Sequence, residues 1–118
     1  MPKVYIVQEP NRVTVVDGVV TNVTPTYNYD PAKVYGELVY CMRHGNARFS
    51  ARQTVLELRH ALRNFTADDF ILPTGDPGVI GMAIALAAKQ TLGKVKVLRW
   101  MRKDKDYLVM EYDLNITV

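Results

Sequence analysis

The segment Phe70-Ile71-Leu72-Pro73-Thr74-Gly75-Asp76-Pro77 decides the fold, because it predicts a buried strand that turns directly into a helix. A compact apolar run closed by a proline is typical of a short buried strand. Asp76 is suited to cap the following helix, and Pro77 is suited to its first position, where no N–H is needed. Gly93 ends the pattern, so this helix is predicted to run from Pro77 to about Thr91.

The same alternation of strand and helix surrounds this segment. The predicted elements are a strand over Glu37–Met42, a helix capped by Ser50 and running to about Asn64, and strands over Val95–Met101 and Tyr107–Leu114. Two strand–helix–strand units in succession imply a parallel core, and the charged loop from Arg102 to Asp106 adds one antiparallel strand. The predicted fold class is α/β, with a mixed sheet whose core runs strand-helix-strand-helix-strand and which ends in an antiparallel hairpin.

The N-terminal part of the chain predicts one more strand and an early hairpin. Lys3–Gln8 alternates in the manner of a strand and is expected to extend the same sheet. Asp17-Gly18 is a strong hairpin signal, since both turn positions require a positive φ. It separates two β-branched runs, Arg12–Val16 and Val19–Val23. Asp30-Pro31-Ala32-Lys33 predicts a single helical turn, with Asp30 as its cap.

The size and composition of the chain favour one domain in a reducing compartment. With 118 residues, 48% of them hydrophobic and 23% charged, residues 1–118 are predicted to form a single α/β domain, with residues 9–30 as a hairpin and loop excursion. The longest apolar stretch, Val79–Ala88, is too short to span a membrane, and no export signal is visible. The lone Cys41 excludes an internal disulfide and a cysteine-based metal cage. These features predict a cytoplasmic protein that does not enter the membrane.

The glycine-rich turn leaves three hypotheses open. Gly78 and Gly81 each cost a helix about 1 kcal/mol relative to alanine, so close packing of a small-residue stripe is the favoured explanation. The alternative is an anion- or ligand-binding turn at a helix N-terminus, where backbone N–H groups point at one spot. Its residues would be Thr74, Gly75, Asp76 and Gly78. The spacing matches no standard nucleotide loop, and Asp76 would repel a phosphate. In a third hypothesis Asp76 is a reactive or metal-binding carboxylate at the end of a strand.

Basic residues form a second candidate site. The net charge is only +3, so the clustering of the charges matters more than their sum. Arg52, Arg59 and Arg63 project within a narrow arc of the first helix, away from its apolar stripe, and arginine matches the geometry of phosphate well. A nucleic-acid-binding surface is the functional hypothesis, and a solvated helix face is the alternative. The predicted nucleic-acid-binding residues are Arg43, Arg48, Arg52, Arg59, Arg63, Arg99, Arg102 and Lys103.

Aromatic residues accompany the basic residues of the terminal hairpin. Trp100, Tyr107 and Tyr112 are interleaved with lysines and arginines, and aromatic rings on a basic sheet face can stack single-stranded bases. Trp100 shares a strand face with Leu98, however, which favours a core tryptophan. A separate cluster of tyrosines favours a protein interface. Its members are Tyr27, Tyr29, Tyr35 and Tyr40.

No catalytic or metal-binding set of residues is predicted. Cys41 is expected to pack as a small buried apolar residue rather than to act as a nucleophile. The two histidines of the chain, His44 and His60, have a spacing that fits no standard metal site. No cofactor is therefore predicted, and an enzyme is the less favoured class of protein.

A resemblance to a known family extends over much of the chain. It is carried by Phe70-Ile71-Leu72-Pro73-Thr74-Gly75-Asp76-Pro77, Ile80-Gly81-x-Ala83, Val95-x-Val97-Leu98-x-Trp100, Tyr107 and Asp113, together with Lys3-Val4-Tyr5-Ile6-Val7 and Tyr35-Gly36-Glu37. These segments resemble a group of small, uncharacterised proteins of tailed bacteriophages, and residues 9–30 and 115–118 lie outside the resemblance. The resemblance implies a viral origin and a setting in the host cytoplasm. It brings no catalytic residue, because no activity is known for the group.

The leading functional hypothesis is a small, non-enzymatic phage protein that binds nucleic acid or a host or phage protein. The first alternative is a nucleotide- or phosphate-binding domain, or an enzyme, that uses the Gly75–Gly81 turn at a helix N-terminus. The second alternative is a self-assembling structural protein whose small-residue helix stripe lies at a subunit contact, which would make the chain a homo-oligomer. No membrane partner is predicted.

Overall fold

The computed structural model describes residues 1–9, 11–25, 28–42 and 50–117, and of residues 11–16 and 20–25 it describes the backbone alone. In chain order the elements are β1 (Lys3–Gln8), β2 (Asn11–Val16), β3 (Val19–Pro25), a short 3₁₀ helix (Asp30–Val34), β4 (Glu37–Met42), α1 (Ala51–Ala61), β5 (Phe70–Leu72), α2 (Pro77–Gln90), β6 (Lys94–Met101) and β7 (Asp106–Asp113). Five strands form one sheet in the order β4-β1-β5-β6-β7, and β2 and β3 form a separate two-stranded sheet. The predicted α/β fold, with a mixed sheet and a C-terminal antiparallel hairpin, is confirmed. Neither helix in the described part of the chain is both long enough and apolar enough to cross a membrane.

The N-terminal strand, β1, is the centre of the sheet. It pairs in parallel with β4 on one side and with β5 on the other. Its residues Val4 to Val7 are all buried, because both faces of the strand are covered. β5 pairs in parallel with β6, and β6 pairs antiparallel with β7. The four parallel strands therefore end at one edge of the sheet, which we call the carboxyl edge.

Each face of the sheet is covered by a different part of the chain. α1 and α2 pack on one face, the helical face, where Leu58 and Ala83 belong to the larger core cluster. The 3₁₀ helix and the residue before it pack on the opposite face, where Tyr29 joins Leu98 in a second cluster. Both layers of the core therefore rest on side chains that alternate along the same strands.

The predicted tyrosine interface is wrong for Tyr29, which belongs to the core of the opposite face, and Tyr35 is partly buried against the same core. Tyr29 is only 5% exposed. The Tyr35 hydroxyl donates a hydrogen bond to the Tyr107 carbonyl at 3.1 Å. The physical reason is that the 3₁₀ segment lies against the sheet and turns these two rings inward. Tyr40 is 46% exposed, and Tyr27 lies outside the described residues.

Local signals set turns and helix starts as the sequence predicts. Asp17-Gly18 has φ values of 51° and 77°, as a tight hairpin turn requires. Ser50 caps α1, because its side chain accepts a hydrogen bond from the Gln53 N–H at 3.2 Å. The 3₁₀ helix differs in one detail: Tyr29 occupies the capping position, and Asp30 lies within the first turn.

The predicted small-residue stripe of α2 (Gly78, Gly81, Ala85 and Ala88) is only partly packed inside the chain, because Ala88 alone of its members is buried in the core of the helical face. Gly81 faces open space, since no atom beyond its chain neighbours and the backbone of its own helix lies within 4 Å of the position that a Cβ would occupy. Gly78 and Ala85 are exposed as well. α2 packs on the sheet through a different stripe, which includes Val79 and Ala83. Close packing on the sheet is therefore the wrong explanation for the two glycines of this helix.

Candidate functional site

An open cleft of about 1480 Å³ lies at the carboxyl edge of the sheet. β1 and β5 are neighbours there, but the chain leaves them in opposite directions, to β4 on one side and to β6 on the other. Ligands of open α/β sheets favour such a switch point. Among the segments that line the cleft are two polar turns, which follow β5 and β6. We call Thr74–Asp76 the turn wall, and Arg99–Tyr107, where β6 turns into β7, the hairpin wall.

The turn wall is fastened to the end of β1. The Gln8 N–H donates to the Thr74 carbonyl at 3.1 Å, and the Thr74 hydroxyl donates to the Gln8 carbonyl at 2.9 Å. The Asp76 N–H donates to Oε1 of Gln8 at 2.9 Å. Gly75 has a φ of 106°, and a Cβ there would lie 2.5 Å from the Cβ of Gln8. Only glycine fits this position, because both the backbone angle and the contact exclude a side chain.

The carboxylate of Asp76 closes the start of α2. Its Oδ2 accepts hydrogen bonds from the N–H groups of Gly78 at 2.9 Å and Val79 at 3.2 Å. Two of the amides that could hold an anion are thus occupied, and a carboxylate stands beside them. The residues of the predicted anion-binding turn do come together here, but their polar groups mostly bind one another and the end of β1.

The hairpin wall brings three cationic side chains to the cleft, those of Arg99, Arg102 and Lys105. Arg99 belongs to β6, and the other two belong to the turn that follows it. Among the residues that the structure describes, the only ion pair joins Lys33 to Asp30. None of the three cations at the cleft therefore has a carboxylate partner within that part of the chain.

Trp100 lies in the hairpin wall and is 44% exposed, so the predicted core tryptophan is wrong. Its ring meets that of Tyr107 edge-on, with the ring centroids 4.9 Å apart and the planes at 61°. Leu98 shares the face of Trp100 and is 1% exposed. Trp100 lies two residues nearer to the carboxyl edge, where the strand ends, so the burial of Leu98 does not extend to it.

The arginines of α1 lie beside β4, the edge strand on the opposite side of the sheet from the hairpin wall. Arg52, Arg59 and Arg63 are exposed on the helix that packs on β4, whereas the hairpin wall adjoins β7. β4 and β7 are four strand spacings apart, which corresponds to about 19 Å. Nη1 of Arg63 also donates to the His60 carbonyl at 2.7 Å near the end of the helix. The structure thus divides the predicted basic residues into two separate groups.

Other predicted residues fall outside the cleft, and the cleft includes residues that were not predicted, among them Gln8 and Lys105. Lys103 is exposed in the hairpin wall but does not line the cleft, and Arg43 and Arg48 lie outside the described residues. Gln8 is a site residue only because β1 lies beside β5, and no local sequence pattern carries the strand order. Lys105 stands in the charged loop of the sequence, but its place in the cleft depends on the geometry of the turn.

Buried groups near the cleft and under α1 resist ionisation. Burial raises the pKa of Tyr29 to about 12, a hydrogen bond with Thr74 opposes this shift, and the charge of Glu9 adds to it. Burial also raises the pKa of Cys41 to about 12, so its thiol stays protonated near neutral pH. Cys41 packs against the core of the helical face, but it is partly buried and not fully buried as predicted. No group of three metal-binding side chains occurs among the described residues.

Comparison with known proteins places the chain in a family. Searches of curated proteins and of solved structures gave no match. The model of a family described as Phage Pam3 gp32-like protein matches residues 2–114. This match confirms the resemblance to small phage proteins, and it extends over the turn wall, the hairpin wall and both helices. The chain therefore belongs to the phage Pam3 gp32-like protein family.

Proposed function

We propose that this phage protein binds single-stranded nucleic acid at the carboxyl-edge cleft, without catalysing a reaction. One observation carries the proposal: three cations without a carboxylate partner in the described residues meet an exposed tryptophan at the hairpin wall. In this proposal the nucleic acid is encountered in the cytoplasm of the infected host cell.

The three cations suit the phosphates of a nucleic-acid backbone. Arg99 and Arg102 each offer a planar fork of N–H donors, which binds phosphate oxygens in pairs. Lys105 adds a further charge from the same turn. The net charge of the whole chain is only +3, so attraction depends on this local cluster. Contacts to phosphates are independent of base sequence and weaken steeply with salt.

Trp100 provides a surface on which a base can stack. Trp100 is 44% exposed, and its ring makes an edge-on contact with the ring of Tyr107. Stacking of a base on an aromatic side chain is worth about 1–3 kcal/mol. Bases in a duplex already stack on one another, so an exposed ring favours a single strand over a duplex.

The alternative functions, which are anion binding, self-assembly and binding of a protein partner, have less support. An anion at the turn wall would have to displace Asp76 from the amides of Gly78 and Val79. Self-assembly through α2 has the exposure of Gly81 and Ala85 in its favour, but small residues alone do not define a partner. A protein partner at the cleft competes more closely, because tryptophan, tyrosine and arginine also dominate protein interfaces.

Trp100 is the only tryptophan of the chain, so its fluorescence reports directly on the cleft. We expect an oligothymidylate of about 12 nucleotides to quench this fluorescence at low salt, with an affinity that falls steeply as salt is added. The variant Arg102→Glu/Lys105→Glu should bind at least about 30-fold more weakly, because two attractions to phosphate become repulsions. Fluorescence titrations across a salt series measure both effects.

The matched control reverses two arginines at the other end of the sheet, Arg52→Glu/Arg59→Glu. It has the same net charge as the test variant, so it separates the local cluster from the overall field. We expect it to lose no more than about threefold in affinity. Equal losses in the two variants would contradict the cleft as the binding site. No quenching of the wild-type protein by any oligonucleotide would exclude the proposal and direct the search to a protein partner.

A further inference from the structure

The cleft lies on both faces of the sheet at once. Side chains alternate along β6, so Leu98 and Trp100 project from the opposite face, whereas Val97 and Arg99 project from the helical face. All four residues line the same cleft. The cleft therefore wraps around the carboxyl edge at the end of β6, with one half on each face.

The half on the helical face is a groove between α2 and β7. Ile80 of α2 lines one side, Met110 and Tyr112 of β7 line the other, and the buried Val97 lies between them. Tyr112 pairs with Val95, four residues back along β6 from Arg99. It therefore lies about 13 Å farther from the carboxyl edge than Arg99 does. Tyr112 is 52% exposed and marks the far end of the groove.

Cations lie between the two exposed aromatic rings of the cleft. Trp100 stands on one face and Tyr112 stands at the end of the groove on the other. Arg99 lies on β6 between the register positions of Trp100 and Tyr112, and Arg102 and Lys105 lie in the turn at the carboxyl edge. All three side chains line the cleft. The turn wall of the cleft has its polar groups engaged in hydrogen bonds with β1 and α2. The whole path thus offers an aromatic surface at each end and positive charge in the middle.

We propose that a single strand crosses the carboxyl edge of the sheet, with one base stacked on Trp100 and another base stacked on Tyr112. This inference rests on the proposed function and adds the second face to it. The phosphates between the two bases meet the cations where the strand crosses the edge. A duplex cannot follow this path, because its persistence length is about 150 base pairs and it does not bend around one sheet. The ligand is therefore a flexible strand long enough to reach both rings.

The test compares oligothymidylates of about 3 and about 12 nucleotides by quenching of Trp100 fluorescence. In the wild-type protein both should quench, and the longer one should bind more tightly. Tyr112→Leu should weaken the binding of the longer oligonucleotide about tenfold and leave that of the shorter one unchanged. Tyr40→Leu is the matched control, because Tyr40 is 46% exposed on β4 and lies outside the cleft. It should bind both oligonucleotides as the wild-type protein does.

A second variant places the only tryptophan at position 112, at the far end of the groove. It provides a direct measurement there in case Tyr112→Leu fails to fold. In Trp100→Phe/Tyr112→Trp, the longer oligonucleotide should quench the relocated tryptophan. Absence of quenching there, or wild-type affinity of Tyr112→Leu for the longer oligonucleotide, would overturn this inference and leave the proposed function standing. Failure of both oligonucleotides to quench the wild-type protein would overturn the proposed function itself, and this inference with it.

Discussion

Two short polar segments line the same cleft, and their polar groups are used in opposite ways. In the turn wall, the Thr74 hydroxyl and the Asp76 carboxylate make hydrogen bonds with the end of β1 and the start of α2. In the hairpin wall, Arg102 and Lys105 reach the cleft without a carboxylate partner among the residues that the structure describes. In the sequence both segments are polar turns that carry candidate binding residues, and their residue types do not show this difference.

This difference separates stability from binding. Removing a polar group that is hydrogen-bonded inside the fold costs stability, because its partners lose their bond. Removing an exposed charge that has no partner costs little stability, and the charge is free to meet a ligand. Substitutions in the turn wall should therefore change the free energy of unfolding, and substitutions in the hairpin wall should change affinity.

Gly75→Ala should have the largest effect, and it should act on stability. The new Cβ would lie 2.5 Å from the Cβ of Gln8, at a φ of 106° that an alanine rarely adopts. We expect the free energy of unfolding to fall by at least about 3 kcal/mol. Urea denaturation followed by circular dichroism measures the change.

Gly81→Ala is the control for that substitution. Gly81 lies in α2 with open space around its missing side chain, so alanine should stabilise the helix by up to about 1 kcal/mol. If the two substitutions shift the urea midpoint alike, Gly75 does not fasten the turn wall to β1 and the contrast between the walls disappears.

Arg102→Ala should have the next largest effect, and it should act on binding. Loss of one arginine contact to phosphate should weaken the binding of a single strand about tenfold and reduce the salt slope by about 0.7. The free energy of unfolding should stay within about 0.5 kcal/mol of the wild-type value, because the side chain is exposed. A variant that binds normally but unfolds more easily would assign Arg102 to the fold instead of the ligand.

Much of the fold could be predicted because its signals act over a few residues. Asp17-Gly18 determines a turn, and Ser50 and Asp76 each cap a helix through their own side chains. The position of β1 between β4 and β5 could not be read in this way, because pairing is decided by contacts between distant segments. The continuous apolar run from Val4 to Val7 is typical of a strand that is buried on both faces, and these residues are buried on both faces in the structure.

The candidate site could be predicted only in part, for the same reason. Arg99 and Arg102 belong to the predicted basic set and flank Trp100 in the sequence. The sequence does not show, however, that the arginines of α1 lie beside the opposite edge strand of the sheet. The exposure of Trp100 depends on how far the layer on the opposite face extends toward the carboxyl edge. That distance is a property of the packed molecule, and the spacing between Leu98 and Trp100 alone gives the wrong answer.

Asp76→Ala should have a smaller effect that tests whether the turn wall takes part in binding. Loss of the cap should lower the free energy of unfolding by about 1 kcal/mol. Asp76→Asn is the matched control, since asparagine caps about as well and removes only the charge. We expect both variants to bind a single strand within about threefold of the wild-type protein. A larger gain in affinity, seen in both, would place a phosphate at the start of α2 and support the anion-binding alternative.

Glu9 follows the end of β1 and differs from the hydrogen-bonded polar groups of the turn wall. It is partly buried, and one of its carboxylate oxygens makes no hydrogen bond within the described residues. That oxygen, Oε1, is itself buried. Burial raises the pKa of the Glu9 carboxyl above its usual value, so the folded state holds the proton more tightly than the unfolded state does. Ionisation of Glu9 therefore opposes folding at neutral pH, and this cost disappears as the pH falls through the raised pKa.

Glu9→Gln should consequently give the smallest effect, a modest increase in melting temperature at pH 7 that vanishes below about pH 4. Glutamine has nearly the same shape and carries no charge, so the substitution removes the ionisation and little else. Thermal unfolding of both proteins across this pH range measures the difference. The opposite result, a variant less stable than the wild-type protein at pH 7, would mean that the charge of Glu9 is stabilised after all. The polar groups at the end of β1 would then all be stabilised by the fold, which would sharpen the contrast with the hairpin wall.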